Sequence, residues 1–191
     1  MGDEEVDVMK KAFVFLIDGF EEIEAIATID ILRRAEVDTV TISLDPALRV
    51  KGGHGIVIEA DQMYEDTDFQ EADMLILPGG NVGSKKMLEH AGLHETLKEA
   101  AAAGTYIAAI CAATMTLGKA GLVNGKKATC YPGVEKELTG ADIITDENVV
   151  TDGRIITSRG PATTIPFALQ LAELLNGKEK ADEVAKGMLV Y

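Results

Sequence analysis

Three short runs of the chain are apolar at nearly every position, which is the pattern of strands buried on both faces of a sheet. They cover residues 12–18, 74–77 and 106–110. Residues 37–44 alternate between apolar and polar side chains and predict a further strand, as do residues 56–58. The residue directly after each run is a glycine, a proline or a cysteine. These residue types mark the ends of the buried strands as places to look for special backbone or chemical features.

Helical patterns alternate with these strands. They cover residues 22–35, 93–103, 112–120 and 161–175, and a charged helix face is predicted over 178–186. The sequence Thr151-Asp-Gly-Arg154 between two pairs of β-branched residues predicts a hairpin. Strands that alternate with helices favour βαβ units, so we expect an α/β fold whose mainly parallel sheet carries helices on both faces. Ligands of such sheets bind beyond the carboxyl ends of the strands.

Composition and charge narrow the choice of partners. The chain has 191 residues, 47% of them apolar, which predicts one globular domain over residues 1–191 with a flexible acidic segment over residues 1–10. The net charge of −14 disfavours nucleic acid and anionic membrane surfaces as partners. No apolar stretch is long enough to span a bilayer, and the N-terminus lacks the pattern of a signal peptide. With only two cysteines, the chain is expected in a reducing cytoplasm.

Cys111 stands where the buried strand over residues 106–110 gives way to a helix. Backbone N–H groups and the positive end of a helix dipole would face a thiol there, and both would lower its pKa and favour the nucleophilic thiolate. The alternative is a buried structural cysteine, because cysteine is among the most buried residue types.

Two other strand ends carry candidate groups. Gly79 and Gly80 follow the strand over residues 74–77, where glycines let a backbone approach closely and present N–H groups as an anion cradle, although Gly-Gly pairs also serve ordinary tight turns. Glu24 lies in the first turns of a helix that is apolar nearly all round. Burial there would raise the pKa of its carboxyl. The alternative is a glutamate that caps the helix and faces water, as Glu21 and Glu22 are expected to do.

Four motifs then stand together in the order of one known family. They are Gly19-Phe-Glu-Glu-Ile-Glu24, Leu77-Pro-Gly-Gly-Asn81, Ala108-Ala-Ile-Cys-Ala112 and Thr157-Ser-Arg-Gly-Pro161. With them the chain resembles the ThiJ/PfpI family of the class I glutamine-amidotransferase-like superfamily, close to its human parkinsonism-associated deglycase branch. The resemblance covers about Lys11 to Gly177.

The resemblance implies a flavodoxin-like three-layer sandwich that forms a homodimer and needs no cofactor. It implies that Cys111 sits on a strained nucleophile elbow, that Glu24 contacts its sulfur, and that the N–H groups of Gly80 and Ala112 form the anion pocket. Gly79 is expected to line the substrate pocket as well, and no metal site is expected.

The sequence departs from the family pattern at several positions. The human-type branch carries a histidine near the thiol, where this chain has Tyr131, which is a poor base because its ordinary pKa is about 10. Ala112 follows the nucleophile where the peptidase branch has histidine. His54 is expected at the pocket rim, where it either binds an anionic substrate or faces solvent. Cys130 is expected to be a core thiol, and the remaining two histidines are expected at the surface.

These expectations favour a cysteine-dependent glyoxalase or protein deglycase of the lyase or hydrolase type. Its partners would be methylglyoxal-type α-oxoaldehydes or glycated proteins. A redox-sensing protective or chaperone-like protein that signals through a Cys111 sulfinate is the alternative, and an intracellular cysteine peptidase is a weaker one. Residues 23–32 present apolar side chains around most of their helix, and this surplus of apolar surface predicts that the helix forms part of a homodimer interface.

Overall fold

The computed structural model describes residues 8–191, and most of the segment predicted to be a flexible acidic terminus lies outside the described residues. The strands of the described residues are β1 (Lys11–Leu16), β2 (Asp38–Ser43), β3 (Arg49–Lys51), β4 (Val57–Glu59), β5 (Gln62–Met63), β6 (Met74–Leu77), β7 (Tyr106–Ile110), β8 (Lys127–Ala128), β9 (Asp142–Ile143), β10 (Val149–Asp152) and β11 (Ile155–Ser158). The helices are α1 (Glu22–Arg34), α2 (Asn81–Glu89), α3 (Ala91–Ala102), α4 (Thr114–Lys119), α5 (Thr164–Asn176) and α6 (Lys178–Gly187).

Seven strands form one sheet in the order β10-β11-β7-β6-β1-β2-β5. All neighbours in this sheet are parallel except β10 and β11, which form the antiparallel hairpin that the sequence predicts around Gly153. The central position of β1, β6 and β7 explains their apolar sequences, because both faces of each strand are covered. β3 pairs with β4 and β8 pairs with β9 in two small separate sheets.

Two apolar clusters fill the spaces on the two sides of the sheet. Side chains alternate between them along β1: Val14 and Leu16 join α1, α5 and α6 in one cluster, while Phe13 and Phe15 join α2, α3 and α4 in the other. The fold is therefore a three-layer flavodoxin-like α/β sandwich, which confirms the predicted fold class. Within the described residues, no helix combines the length and the apolar character that a bilayer crossing requires.

The sheet topology fixes where chemistry can occur. The loops that leave β1, β6 and β7 all emerge at the carboxyl edge of the sheet, because these neighbouring strands are parallel. The loop after β1 leads into α1, the Gly79-Gly80 turn follows β6, and Cys111 follows β7. The three motifs that are far apart in sequence are thus brought to one place.

Candidate active site

Cys111 adopts a backbone conformation that few residues with a side chain adopt. Its φ is +64°, in the left-handed region, which costs an L-residue about 1–2 kcal/mol. The Cys111 carbonyl accepts hydrogen bonds from the Thr114 hydroxyl at 2.9 Å and from the Tyr131 N–H at 3.4 Å, and these help to hold the turn. Cys111 as a whole residue is 8% exposed. This sharp turn between β7 and α4 is the strained elbow that the family resemblance implies.

Glu24 lies in the first turn of α1 and is fully buried. Its Oε2 accepts a hydrogen bond of 2.7 Å from the Gly79 N–H, and its Oε1 has no hydrogen-bond partner among the described residues. Burial raises the pKa of this carboxyl to about 7; the Gly79 N–H and then the Cys111 thiol oppose this rise, and the charge of Glu21 adds a smaller contribution to it. The prediction of a buried carboxyl with a raised pKa is confirmed.

Gly79 separates Glu24 from Cys111. A Cβ on Gly79 would lie 2.5 Å from Glu24 Oε2 and 2.7 Å from Cys111 Cβ, so only glycine fits between the two groups. The next residue, Gly80, has a φ of +110°, which also favours glycine. The N–H groups of Ala112 and Gly80 are close enough to the Cys111 sulfur to act on the thiol, and each lowers its pKa. Two amide donors therefore converge on the point where an anion would form.

The prediction of a lowered thiol pKa is wrong. Burial and then the negative charge of Glu24 raise the pKa of Cys111 to about 12, and the N–H groups of Ala112 and Gly80 offset only part of this. The helix that follows is also shorter than the sequence predicts, because residues 111–113 form a 3₁₀ turn and α4 has six residues. Its dipole is accordingly weaker than that of a longer helix.

Glu24 and Cys111 behave as a pair that holds two protons at acidic pH and one above about pH 7. Glu24 Oε1 has no hydrogen-bond partner among the described residues, so the carboxyl keeps an acceptor for the thiol proton. This arrangement suits a thiol that becomes nucleophilic as it transfers its proton to Glu24 during attack, rather than a thiol that is ionised beforehand.

Glu21 belongs to this site, although the sequence pattern assigns it only to the start of the helix. Its Oε2 accepts a hydrogen bond of 2.8 Å from the Glu24 backbone N–H, which makes Glu21 the N-cap of α1. The signal in the sequence is the spacing of three residues between the two glutamates, which is the spacing from N-cap to N3.

His54 lies in the loop between β3 and β4, and its side chain is 77% exposed. Its Nδ1 lies 2.9 Å from Glu22 Oε2, and its backbone N–H donates to Glu22 Oε1 at 2.6 Å. The contact with Glu22 raises the pKa of His54. Glu22 is itself buried rather than directed to water, contrary to the sequence prediction. Because N–H donors already occupy both of its oxygens, we assign this cluster to holding the loop on α1.

Tyr131 approaches the elbow through its backbone, whose N–H donates to the Cys111 carbonyl. Its ring is half-exposed and lies over Gly160, where an added Cβ would be 3.4 Å from Cδ2. Tyr131 therefore borders the elbow on the side of the β11 loop.

Cys130 packs in the apolar cluster on the other side of the sheet from the cluster that contains Cys111. Its thiol is buried, and burial raises its pKa to about 11. This agrees with a core thiol. The two remaining histidines were expected at the surface, and for His94 this is wrong: it is buried, with Nε2 2.8 Å from the Leu88 carbonyl.

Comparison with known families gives one match over most of the chain. The model described as the DJ-1/PfpI family matches residues 10–174. Among curated proteins, the fruit-fly protein dj-1beta is 41% identical over 182 residues, covering 95% of this chain and 97% of that protein. The nematode protein named glutathione-independent glyoxalase DJR-1.2 (Caenorhabditis elegans) is 37% identical over 181 residues, covering 93% of this chain and 95% of that protein.

Solved structures agree with this match. The crystal structure of Drosophila melanogaster DJ-1beta superposes with a TM-score of 0.91 at 41% identity, covering 95% of this chain and 98% of that chain. The structure titled Toxoplasma gondii DJ-1, oxidized, superposes with a TM-score of 0.89 at 35% identity, covering 94% of this chain and 98% of that chain.

Proposed function

This chain belongs to the DJ-1/PfpI family, and from that premise we propose that it is a cysteine-dependent glyoxalase or protein deglycase that needs no cofactor. Its substrates would be methylglyoxal-type α-oxoaldehydes, either free or as adducts on proteins. Cys111 is the nucleophile, Glu24 moves protons, and the N–H groups of Gly80 and Ala112 hold the oxyanion. His54, Gly79 and Tyr131 border the pocket.

The first step forms a bond from the Cys111 sulfur to the aldehyde carbon. The thiol proton passes to the Glu24 carboxylate, and the carbonyl electron pair moves to oxygen. The resulting oxyanion lies at the Gly80 and Ala112 N–H groups, where fixed donors are most effective because water is excluded. Glu24 then returns the proton to that oxygen, which gives a neutral hemithioacetal.

The second stage converts this adduct into a hydroxy acid. The Glu24 carboxylate removes the proton from the carbon bonded to sulfur and delivers it to the oxygen of the neighbouring carbonyl group, which gives an enediol. The hydroxyl proton on the sulfur-bearing carbon then moves, again through Glu24, to the neighbouring carbon, and a C=O bond forms at the sulfur-bearing carbon. The product is a thioester of a 2-hydroxy acid, and water cleaves its C–S bond to release the acid and restore the thiol. Methylglyoxal and one water thus give one lactate, with no external oxidant or reductant.

One observation carries the proposal. A cysteine on a strained elbow has its sulfur in contact with two amide donors and beside a buried carboxyl whose pKa is about 7. A proton carrier works best when its pKa lies near the working pH, because both of its protonation states are then accessible. The nematode relative named a glutathione-independent glyoxalase adds support from a chain of matching length.

The test is lactate formation from methylglyoxal without glutathione. We expect Cys111→Ser to abolish turnover and Glu24→Gln to lower it by roughly 10²-fold, the usual scale of acid–base help. Cys130→Ser is the matched control, since it removes the other free thiol from the opposite side of the sheet, and it should keep wild-type activity. Lactate formation that survives Cys111→Ser would contradict the proposal.

A redox-sensing protective role is the second candidate. The two N–H groups at the Cys111 sulfur would also stabilise the oxygens of a sulfinate, to which a protonated Glu24 would donate. Mass analysis after peroxide treatment distinguishes the two: a sensor accumulates two oxygen atoms on Cys111 at peroxide levels that leave other residues unchanged. The peptidase alternative is disfavoured because Ala112 follows the nucleophile.

We also propose a cytoplasmic homodimer. The exposure of two isoleucines on α1 supports the homodimer. Ile23 is 57% exposed and Ile26 is 41% exposed, whereas Ile29 of the same helix is buried against the core. A second copy of the chain would cover the two exposed side chains. Both cysteines are free thiols, which suits a reducing compartment. Nucleic acid and membrane surfaces stay disfavoured as partners because of the net charge of −14.

A further inference from the structure

Three hydrogen bonds form a closed ring between α1 and the turn after β6. The Glu24 N–H donates to Glu21 Oε2 at 2.8 Å, the Gly79 N–H donates to Glu24 Oε2 at 2.7 Å, and the Glu21 N–H donates to the Gly79 carbonyl at 2.9 Å. Each of the three residues gives one hydrogen bond and receives one. The ring ties the carboxyl of Glu24 to the turn that carries the Gly80 N–H.

A glutamate is an unusual residue to complete such a ring. Helix N-caps are most often Ser, Thr, Asp or Asn, whose short side chains reach the same N–H groups. At this position Glu21 adds a second carboxylate near Glu24, in a side chain that is only 12% exposed. Its charge is therefore poorly screened by water, and it contributes to the raised pKa of Glu24.

We propose that Glu21 is a positioning residue of this site: its hydrogen bond and its negative charge together control how readily Glu24 takes the proton of the Cys111 thiol. This inference rests on the proposed function for its meaning in turnover. Glu21 acts only through Glu24 and contacts neither substrate nor sulfur in this scheme.

The charged groups around the pair are few. Glu24 is influenced by Glu21 from its own helix and by Cys111 from the elbow, whereas the β6 turn contributes only the Gly79 N–H. Glu21 in turn has its Oε1 3.9 Å from His54 Nδ1, and His54 is held by Glu22. A protonated His54 partly neutralises Glu21, so the influence of Glu21 is greatest at pH values where His54 is neutral.

Two variants separate the charge from the hydrogen bond. Glu21→Gln keeps an oxygen that can accept the Glu24 N–H but removes the charge, whereas Glu21→Ala removes both. The first readout is the rate of Cys111 alkylation by iodoacetamide as a function of pH, followed by intact mass. Wild type is expected to show a midpoint of about 7, where Glu24 becomes able to accept the thiol proton. The second readout is the pH profile of kcat/KM with methylglyoxal.

We expect the midpoint of Glu21→Gln to move to lower pH while the rate at high pH is kept. Glu21→Ala should show the same movement and also lose rate at high pH, by between roughly 10-fold and 10²-fold, because Glu24 is no longer held in place. Asp30→Asn is the matched control: it removes one carboxylate from the exposed face of α1, where Asp30 pairs with Arg34, and its profile should coincide with that of wild type.

An unchanged midpoint in Glu21→Gln would overturn the inference, even if both variants lose rate, since a purely structural cap would behave in that way. Should Glu21→Ala fail to fold, Glu21→Gln still decides the question. Failure of the proposed function can be told apart from failure of this inference. If the proposed function is wrong, wild type makes no lactate, but the pH profile of Cys111 alkylation still shows whether Glu21 acts on the pair.

Discussion

Replacing Glu24 by Gln should make the protein more stable at neutral pH although it lowers activity. The folded state holds the Glu24 proton with a pKa of about 7, against 4.5 for an ordinary glutamate. An acid whose pKa is higher in the folded state binds protons more tightly there, so it makes the free energy of unfolding fall as pH rises from about 4.5 to about 7. A neutral Gln in the same place carries no such penalty.

The size of the effect follows from the width of that window. Each pH unit is worth about 1.4 kcal/mol, so the whole window amounts to about 3 kcal/mol. The part above pH 5.5, which avoids the isoelectric region near 4.6, amounts to about 2 kcal/mol. Glu24 is fully buried, so solvent screening does not reduce this figure.

The assay is urea unfolding of wild type and Glu24→Gln at fixed protein concentration, at several pH values from 5.5 to 8. The quantity of interest is the difference between the two free energies of unfolding, because contributions from other titrating groups, such as Glu22 and His54, cancel in it. This difference should move by about 2 kcal/mol in favour of the variant across the range. Glu99→Gln, at an exposed carboxylate of α3, is the control and should give a flat difference. If Glu24→Gln is also flat, the claim that Glu24 is neutral below pH 7 fails.

Three further predictions concern packing, assembly and oxidation. Gly79→Ala should cost roughly 1–3 kcal/mol and abolish activity, because its Cβ would lie 2.7 Å from Cys111 Cβ; Gly53→Ala, with no neighbour closer than 3.6 Å, should be tolerated in urea unfolding. Wild type should sediment at equilibrium as a dimer, Ile26→Asp as a monomer of 20.3 kDa, and Ile165→Asp, at another exposed isoleucine, as the dimer; a monomeric wild type would contradict the proposed interface. Mild peroxide should add two oxygen atoms to Cys111 and none to the second cysteine, and equal oxidation of both would contradict the assigned difference between them.

Two of the three central strands could be predicted from the sequence to the residue, whereas the run over residues 12–18 became β1 over Lys11–Leu16. β6 and β7 begin and end where their apolar runs do. A strand covered on both faces needs an apolar side chain at every position, and the residues beyond its ends do not. The same reasoning cannot find β5, β8 or β9, which have two residues each and are defined by their neighbours. A pattern of two residues carries no period.

Helix α2 was also missed, for a different reason. It begins at Asn81 and contains Gly83, and glycine disfavours a helix interior. The structure shows why glycine is there: an added Cβ on Gly83 would lie 2.9 Å from the backbone of Gly19 and Phe20. Close packing of α2 on the loop after β1 therefore outweighs the local preference of the residue.

The candidate site also has features that the sequence predicts and one that it does not. The positions of Cys111, Glu24 and Gly80 follow from the rule that ligands bind at the carboxyl ends of parallel strands, so the sequence could place them together. The pKa of the thiol could not be predicted, because its direction depends on how close the Glu24 charge comes and how far water is excluded. Both are set by contacts between segments that are remote in sequence.

The near-complete burial of Cys111 affects which oxidation products its thiol can form. A thiol can be protected from over-oxidation by forming a disulfide, either with a neighbouring cysteine or with glutathione. Cys130 lies on the opposite side of the sheet from Cys111. Cys111 is 8% exposed and lies in a turn, which leaves little room for glutathione to approach its sulfur. Hydrogen peroxide is much smaller than glutathione and needs less room. We therefore expect oxidation at this position to favour the sulfinic acid over reversible mixed disulfides, which would remove each oxidised molecule from the thiol pool until a dedicated reductant acts on it.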